Sequence, residues 1–308
     1  YGDAGDDTIT GYYDNDTIIG GTGNDTLNRG NGADTYVFNL GDGQDFVVAE
    51  APDVLTLGAG LLASAVILSR GATDGDDIII EFSGLSDKIT LDEQVSSYSW
   101  KGVDQITFAD GTVWSRNTIM DVYLAQKSTS GNDVIAGFYR AETIDGLAGN
   151  DTITASDGKD TVHGGDGNDG IDGGWGHDVL YGDAGDDTIT GYYDNDTIIG
   201  GTGNDSLNGG NGSDKFVYVA QADSTVTGFD AIAGFAPGAD KIDLDAFGLT
   251  NQSIANVSVG AFQGDSAAGG FFTIASTTNS VVIQHVGSTE QIYVDVNGNG
   301  DFDPGADL

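Results

Sequence analysis

Along residues 128–217 an apolar side chain recurs every nine positions, and the residue two places before it is acidic each time. The apolar series is Ile135, Ile144, Ile153, Val162, Ile171, Leu180, Ile189, Ile198, Leu207 and Phe216. The acidic series is Asp133, Glu142, Asp151, Asp160, Asp169, Asp178, Asp187, Asp196, Asp205 and Asp214. Glycine fills much of the space between them, as in GGDGNDGID and GGTGNDSLN. A period of nine fits neither a helix nor a simple alternating strand, and self-similarity at fixed spacing marks a repeat architecture. Glycine permits positive φ and close backbone approach, so six residues curl while the next three extend with the central apolar residue facing inward. Each nonapeptide predicts one turn and one short strand.

Residues 2–37 hold four more units, with Asp7, Asp16, Asp25 and Asp34 in the acidic place. Residues 1–28 match 181–208 everywhere except Thr26, which stands against Ser206. This reads as duplication of a module whose first copy opens in the middle of a repeat, so a piece of a longer chain is expected. YGDAGDD at the start lacks the basic and apolar stretches of a signal peptide. Between the blocks the nine-residue rhythm fades, and DVLTL, AVILS, DIIIEF, KITL and QITF read as strands. Ala109-Asp110-Gly111 reads as a hairpin turn, and Ser115 as the cap of a short helix from Arg116 to about Gln126. Further strands are expected at NVSVGAF, GFFTIAS, SVVIQHV and EQIYVDV. The predicted architecture is all-β: a repeat block at 1–37, a β-rich spacer with one helix at 38–127, a ten-repeat block at 128–217 and a β-rich cap at 218–308.

Charge sharpens the chemistry. Against 10 Lys and Arg stand 49 acidic residues, a formal charge of −39, which excludes nucleic acid and anionic membrane as partners and favours cations. Only five of the acids are Glu; the remaining 44 are Asp, a residue of turns and ligand loops. With no Cys there is neither a disulfide framework nor a zinc-thiolate site, so cross-linking must use oxygen ligands. The longest apolar stretch, Leu57 to Leu68, is too short for a spanning helix of ~20 residues. One buried apolar side chain per nonapeptide cannot offset the ordering of nine residues, and strands stacked ~4.8 Å apart bring carboxylates together. Without a cation the coils are not expected to form. Calcium suits such loops: it is hard, takes six to eight oxygens and tolerates irregular cages, whereas magnesium demands a tight octahedron.

The unit GGTGNDTLN at residues 20–28 meets every position of GGxGxDxUx, and with thirteen further in-phase copies the chain resembles the RTX, or haemolysin-type, calcium-binding nonapeptide family. In GADTYVFNLGDGQDFV and GVDQITFADGTVW the spacer resembles the haemolysin-type calcium-binding related domain. GSDKFVYV and GFDAIAGFAPGADKIDLDAF resemble the serralysin-type C-terminal domain. The resemblance implies a right-handed parallel β-roll with two nonapeptides per 18-residue coil. It further implies Ca2+ shared by carboxylates 18 apart: Asp7 with Asp25, Asp16 with Asp34, and Asp133, Asp151, Asp169, Asp187 and Asp205 in series. Glu142, Asp160, Asp178, Asp196 and Asp214 form the other edge, for about ten ions in all. Arg140 and Glu142 depart from the pattern, and Asp14 and Asp194 replace the fourth-position glycine, so weaker or reshaped sites are expected there. Asp295, Asn297, Asn299 and Asp301 follow a D-x-N-x-N-G-D calcium-loop spacing, but Ala306 stands where an EF-hand places its bidentate Glu.

Other chemistries fare worse. GDGNDG at 165–170 reads GxGxxG inside a repeat, without the strand-to-helix context of a dinucleotide site. His163, His177 and His285 are scattered, paired carboxylates carry no information among 49 acids, and GxSxG is absent. Trp100, Trp114 and Trp175, with the Tyr pairs 12/13 and 192/193, are expected to pack rather than form a sugar platform. No catalytic role is assigned to any residue. By resemblance the chain would leave a bacterium through a type I channel on an uncleaved C-terminal signal and fold outside, at calcium of ~10⁻⁴–10⁻³ M. The parent protein is expected to be an extracellular or cell-surface structural protein of adhesin, surface-layer or filament type that self-associates. The alternatives are the tail of a secreted hydrolase or polysaccharide-modifying enzyme, and a glycan-binding module.

Overall fold

The computed structural model describes residues 1–50, 52–71, 75–97, 101–220, 223, 230–236 and 239–243, and the backbone of strands Phe271–Ala275, Ser280–Val286 and Thr289–Asp295. The chain divides into two units, Tyr1–Gln126 and Lys127–Leu308.

In the second unit the nine-residue rhythm becomes two parallel sheets, each taking every other repeat. One stacks Val134–Ala136, Thr152–Thr154, Gly170–Gly176, Thr188–Tyr193 and Ser206–Asn211. The other stacks Thr143–Asp145, Thr161–Asp166, Val179–Ala184, Thr197–Thr202 and Lys215–Val217. The register advances by 18 residues per rung, so Ile135, Ile153, Ile171, Ile189 and Leu207 lie in one column and Ile144, Val162, Leu180, Ile198 and Phe216 in another. All ten are buried. In the middle of the block pairing runs beyond the three expected residues into the second and third places of the next repeat, as at Gly165↔Asp183 and Asp166↔Ala184. Stacking does not end with the last nonapeptide: Leu207 pairs with Ile232 and Phe216 with Ile242, steps of 25 and 26 residues. An antiparallel set, Thr289–Asp295, Ser280–Val286 and Phe271–Ala275, follows on Ala231–Ala233. The strand expected at NVSVGAF lies outside the described residues.

The first unit begins in the same way. Thr8–Thr10, Thr26–Asn28, Gln44–Val48 and Lys88–Leu91 are parallel rungs of one sheet, and the antiparallel Ile78–Phe82 and Val66–Arg70 complete it. Thr17–Ile19, Thr35–Phe38, Val54–Leu57 and Gln105–Thr107 are rungs of the other, closed by the Gln105–Thr107/Val113–Ser115 hairpin. The parallel stack therefore runs across residue 37, with steps of 20 (Leu27↔Val47) and 19 (Tyr36↔Leu55). Here apolar residues are denser: Leu55, Leu57, Leu68, Ile78, Ile80, Phe82, Ile89, Leu91, Ile106 and Phe108 are all buried. Trp114 packs edge-on to Phe108 at 5.0 Å. The helix Arg116–Lys127 buries Ile119, Met120, Tyr123 and Leu124, and the Thr118 N–H donates to Ser115 Oγ at its start.

Candidate metal centre

Each coil is tied to the next through the acidic side chain at the sixth place of the repeat. The backbone N–H of one such residue donates to Oδ1 of its counterpart 18 residues later: Asp151 to Asp169, Asp169 to Asp187 and Asp187 to Asp205 on one edge, and Asp160 to Asp178, Asp178 to Asp196 and Asp196 to Asp214 on the other, at 2.8–3.0 Å. Asp133 and Glu142 donate to Asp151 and Asp160, and in the first unit Asp7 and Asp16 donate to Asp25 and Asp34. A second ladder runs the opposite way at the fifth place, where the later N–H donates to the earlier side chain: Asn150 to Asn132, Asn168 to Asn150, Asp186 to Asn168.

The second carboxylate oxygen separates the repeats into two classes. Oδ2 is buried and accepts no hydrogen bond in Asp7, Asp16, Asp25, Asp151, Asp160, Asp169, Asp178, Asp187, Asp196, Asp205 and Asp214. In Asp34, Asp133 and Glu142 it accepts the N–H four residues earlier, from Gly30, Thr129 and Phe138. The difference lies in the second place of the loop. Where that residue has positive φ, as in Asp3, Tyr12, Gly21, Leu147, Ser156, Gly165, Gly174, Asp183, Tyr192, Gly201 and Gly210, the loop is open and Oδ2 has no donor. Gly30, Thr129 and Phe138 are not left-handed, and their loops close onto the carboxylate. Arg140 adds an ion pair to Glu142, Nε to Oε1 at 3.3 Å. Asp14 and Asp194 take the left-handed conformation themselves, with φ of 69° and 72°.

A buried carboxylate oxygen with no donor is costly, and a hard cation is its natural complement. The surroundings suit one. A Cβ at Gly182 would meet both Asp187 Oδ2 and the Gly200 carbonyl, so the missing side chain leaves a cradle lined by a carboxylate and a main-chain oxygen. Gly146 sits in the same way between Asp151 Oδ2 and the Gly164 carbonyl. Among the described residues no three acidic or histidine side chains converge on one point, so main-chain carbonyls must complete any cage. The donor set is oxygen throughout and fits calcium.

Burial without a counter-charge raises Asp160, Asp169, Asp178, Asp187, Asp196, Asp205 and Asp214. Desolvation is the leading cause for Asp160, Asp187 and Asp196, pushed up to about 7, and for Asp205, pushed up to about 6; neighbouring carboxylates add to it. A folded-state pKa above the unfolded value means that protons stabilise the calcium-free fold. That stabilisation is complete below the unfolded pKa near ~4 and is lost as pH rises through about 7. Protons and calcium compete for the same oxygens. Because both bind the folded repeats and not the ionised unfolded chain, the calcium concentration at half-folding, followed by circular dichroism, is expected to fall between pH 8 and pH 6; a midpoint that rises over that range would contradict it.

Four residues of the ladders were not among those expected. Asp45 and Asp53 accept the N–H of Asp25 and Asp34, and Asp230 and Asp240 accept those of Asp205 and Asp214. Their signal was present as an acid two places before an apolar residue, with Gly two places earlier at Gly43, Gly228 and Gly238, but out of phase with the nines. Asp295 is described only as strand backbone, and Asn297, Asn299 and Asp301 lie outside the described residues. The aromatic residues divide. Trp114 is core, whereas Trp175 is 57% exposed and packs at a tilt against Tyr193, centroids 4.4 Å apart, with Tyr192 edge-on to that ring, so packing in the interior does not account for it. His163 pairs with Asp183 and stacks on Tyr181.

Comparison with known proteins places these features. Residues 129–303 match the profile of the Peptidase M10 serralysin C-terminal region, residues 77–118 the haemolysin-type calcium binding protein related domain, and residues 1–36 the RTX calcium-binding nonapeptide repeat in four copies. The crystal structure of extracellular lipase LipA from Serratia marcescens aligns over 76% of this chain at 18% identity, with a TM-score of 0.24. The alignment spans 37% of that lipase. No curated protein matches the sequence.

Proposed function

The chain belongs to the serralysin C-terminal family and carries calcium-binding RTX repeats of a secreted protein; on that premise we propose that calcium is its folding switch. The observation that carries this reading is the series of buried Oδ2 atoms without a donor, eight of them in consecutive repeats from Asp151 to Asp214. Each open loop is read as holding one calcium ion between its own carboxylate and the carbonyls of the adjoining coil, while the loops of Asp34, Asp133 and Glu142 close without one. Eleven open nonapeptide loops stand in place of the ten sites counted from pairs. In a low-calcium cytosol the repeats stay unfolded and pass through a type I channel; outside, the ion supplies the missing charge and the coils form.

For the parent protein we favour an extracellular structural role of adhesin, surface-layer or filament type, because the same 28-residue run stands twice in one chain with a single difference. An enzyme tail is the second reading, supported by the peptidase family to which the C-terminal profile belongs. Sedimentation velocity on the decalcified chain, titrated to ~10 mM calcium beside a magnesium control, tests both levels. Compaction with calcium alone is expected. Growth into large, chelator-reversible species supports the structural role, a compact monomer supports the tail, and no change with calcium overturns the switch.

A further inference from the structure

Trp175 stands in the middle of an exposed row. Paired residues of parallel, in-register strands present their side chains side by side, and Tyr139, Asp157, Trp175, Tyr193 and Asn211 pair in succession, one per coil, at ~4.8 Å per rung. Tyr139 is 54% exposed, Tyr192 beside the row is 46% exposed, and Asp157 and Asn211 also face solvent. The opposite edge of the block carries no ring at this place: its column is Ala148, Asp166, Ala184 and Thr202. Tyr192 has φ of +84°, where Gly165, Gly174, Gly201 and Gly210 stand in other coils, and its counterpart Tyr12 in the first unit has φ of +73°. A bulky side chain held in the left-handed region and turned to solvent serves neither the backbone nor the core. In the first unit the pair Tyr13 and Asn31 repeats the pair Tyr193 and Asn211, with both side chains exposed.

We propose that this row is a binding platform for an uncharged polysaccharide. Tyr139, Trp175 and Tyr193 stack on the apolar faces of its sugar rings, while Asp157 accepts hydrogen bonds from hydroxyls and Asn211 exchanges them. The chemistry of the row selects this occupant. Exposed rings alternate with hydrogen-bonding side chains, so the partner must carry apolar faces and hydroxyl groups in turn along its length. The rings lie in a line and form no cage, which suits a chain molecule better than a small cation. Main-chain groups of the row are already committed between coils, as where the Trp175 N–H donates to the Ser156 carbonyl at 2.8 Å, so an extended peptide finds no free edge to join. A formal charge of −39 on the chain repels an anionic polymer. Calcium folds the coils in the reading above; the row uses the face that the folded coils present.

The test is affinity electrophoresis of the full chain, with calcium present, in native gels that contain hydroxyethyl cellulose, xyloglucan or soluble starch, beside alginate and chitosan as charged controls. Retardation by at least one of the three uncharged glycans is expected. Trp175→Ala should raise the dissociation constant about tenfold, Trp175→Phe should recover most of the loss, and Thr202→Ala on the opposite edge should change nothing. Should Trp175→Ala alter the calcium-dependent circular dichroism, Tyr139→Ala, two coils away, must show the loss in its place. No retardation by any uncharged glycan, retardation by a charged one alone, or equal loss in Thr202→Ala overturns the proposal. So does self-association in the absence of glycan that Trp175→Ala abolishes, since it assigns the row to a second copy of the chain.

Discussion

Chelating calcium at neutral pH is expected to expose residues 128–217 to amide exchange while residues 54–91 and 105–124 stay protected. The two regions are held by different forces. In the repeats most nonapeptides contribute a single large buried apolar side chain, with Phe138 and Ile199 as the additions, and eight consecutive carboxylates from Asp151 to Asp214 keep an oxygen that no donor reaches. A buried carboxylate oxygen without a partner is costly, and a column of them weighs against the ~5–15 kcal/mol that holds a whole domain. Among the described residues of 54–91 and 105–124 there is no such column. Leu55, Leu57, Leu68, Ile78, Ile80, Phe82, Ile89 and Leu91 are packed from two sheets, and the helix adds Ile119, Met120, Tyr123 and Leu124. Each such side chain contributes about 1.5–3 kcal/mol whether or not calcium is present. Exchange followed by mass spectrometry before and after chelation checks this. Equal loss of protection in both regions, or retention in both, would contradict it.

Replacing Gly185 by Ala is expected to move the calcium midpoint of the second unit at least tenfold higher, while Gly234→Ala moves it less than threefold. Both glycines have positive φ, +134° and +69°. Gly234 sits in the left-handed region, where alanine costs about 1 kcal/mol, and its added Cβ would meet only the Asn208 amide oxygen at 3.1 Å, the movable end of a side chain. Gly185 lies in a region that only glycine populates, and its Cβ would strike the Gly167 carbonyl, backbone of the coil before it. Such a residue holds neighbouring coils at their spacing, so the substitution strains two coils and the cradle between them. Titration by circular dichroism gives the midpoints. Equal shifts for the two variants would mean that close approach of coils is not what the fourth-place glycine provides.

Much of this molecule is written in the spacing of its residues. A fixed step of 18 gives every rung the same neighbours, so Ile135 to Phe216 could be placed inside, and the sixth-place acids on the turns, by counting alone. Counting fails where the step changes. Asp45, Asp53, Asp230 and Asp240 follow their predecessors by 20, 19, 25 and 26 residues. The extra residues are taken up in the loops, so the ladder continues although the phase is lost. Nor does spacing distinguish an open loop from a closed one. Gly30 and Gly21 are the same residue in the same place of adjoining repeats, yet only Gly21 is left-handed, and the oxygens of Asp25 and Asp34 meet different fates in consequence. Backbone conformation at one loop position is set by the coils on either side, information that no nonapeptide carries by itself. The exposure of Trp175 has the same origin: only the fold decides that a third-place side chain points to solvent.

The ladder of sixth-place acids has a direction, since the N–H always belongs to the earlier coil and the oxygen to the later. A bare stack therefore has two unlike and complementary ends, a donor face after its last coil and an acceptor face before its first. Such faces join head to tail without closing, which is the geometry of an open-ended polymer. In this chain Asp230 and Asp240 occupy the donor face of the second block, and the Thr129 N–H and hydroxyl bind the Asp133 carboxylate at its acceptor face. These few side chains occupy the groups that a further coil would otherwise use, so the two ends of the block are filled from within the chain.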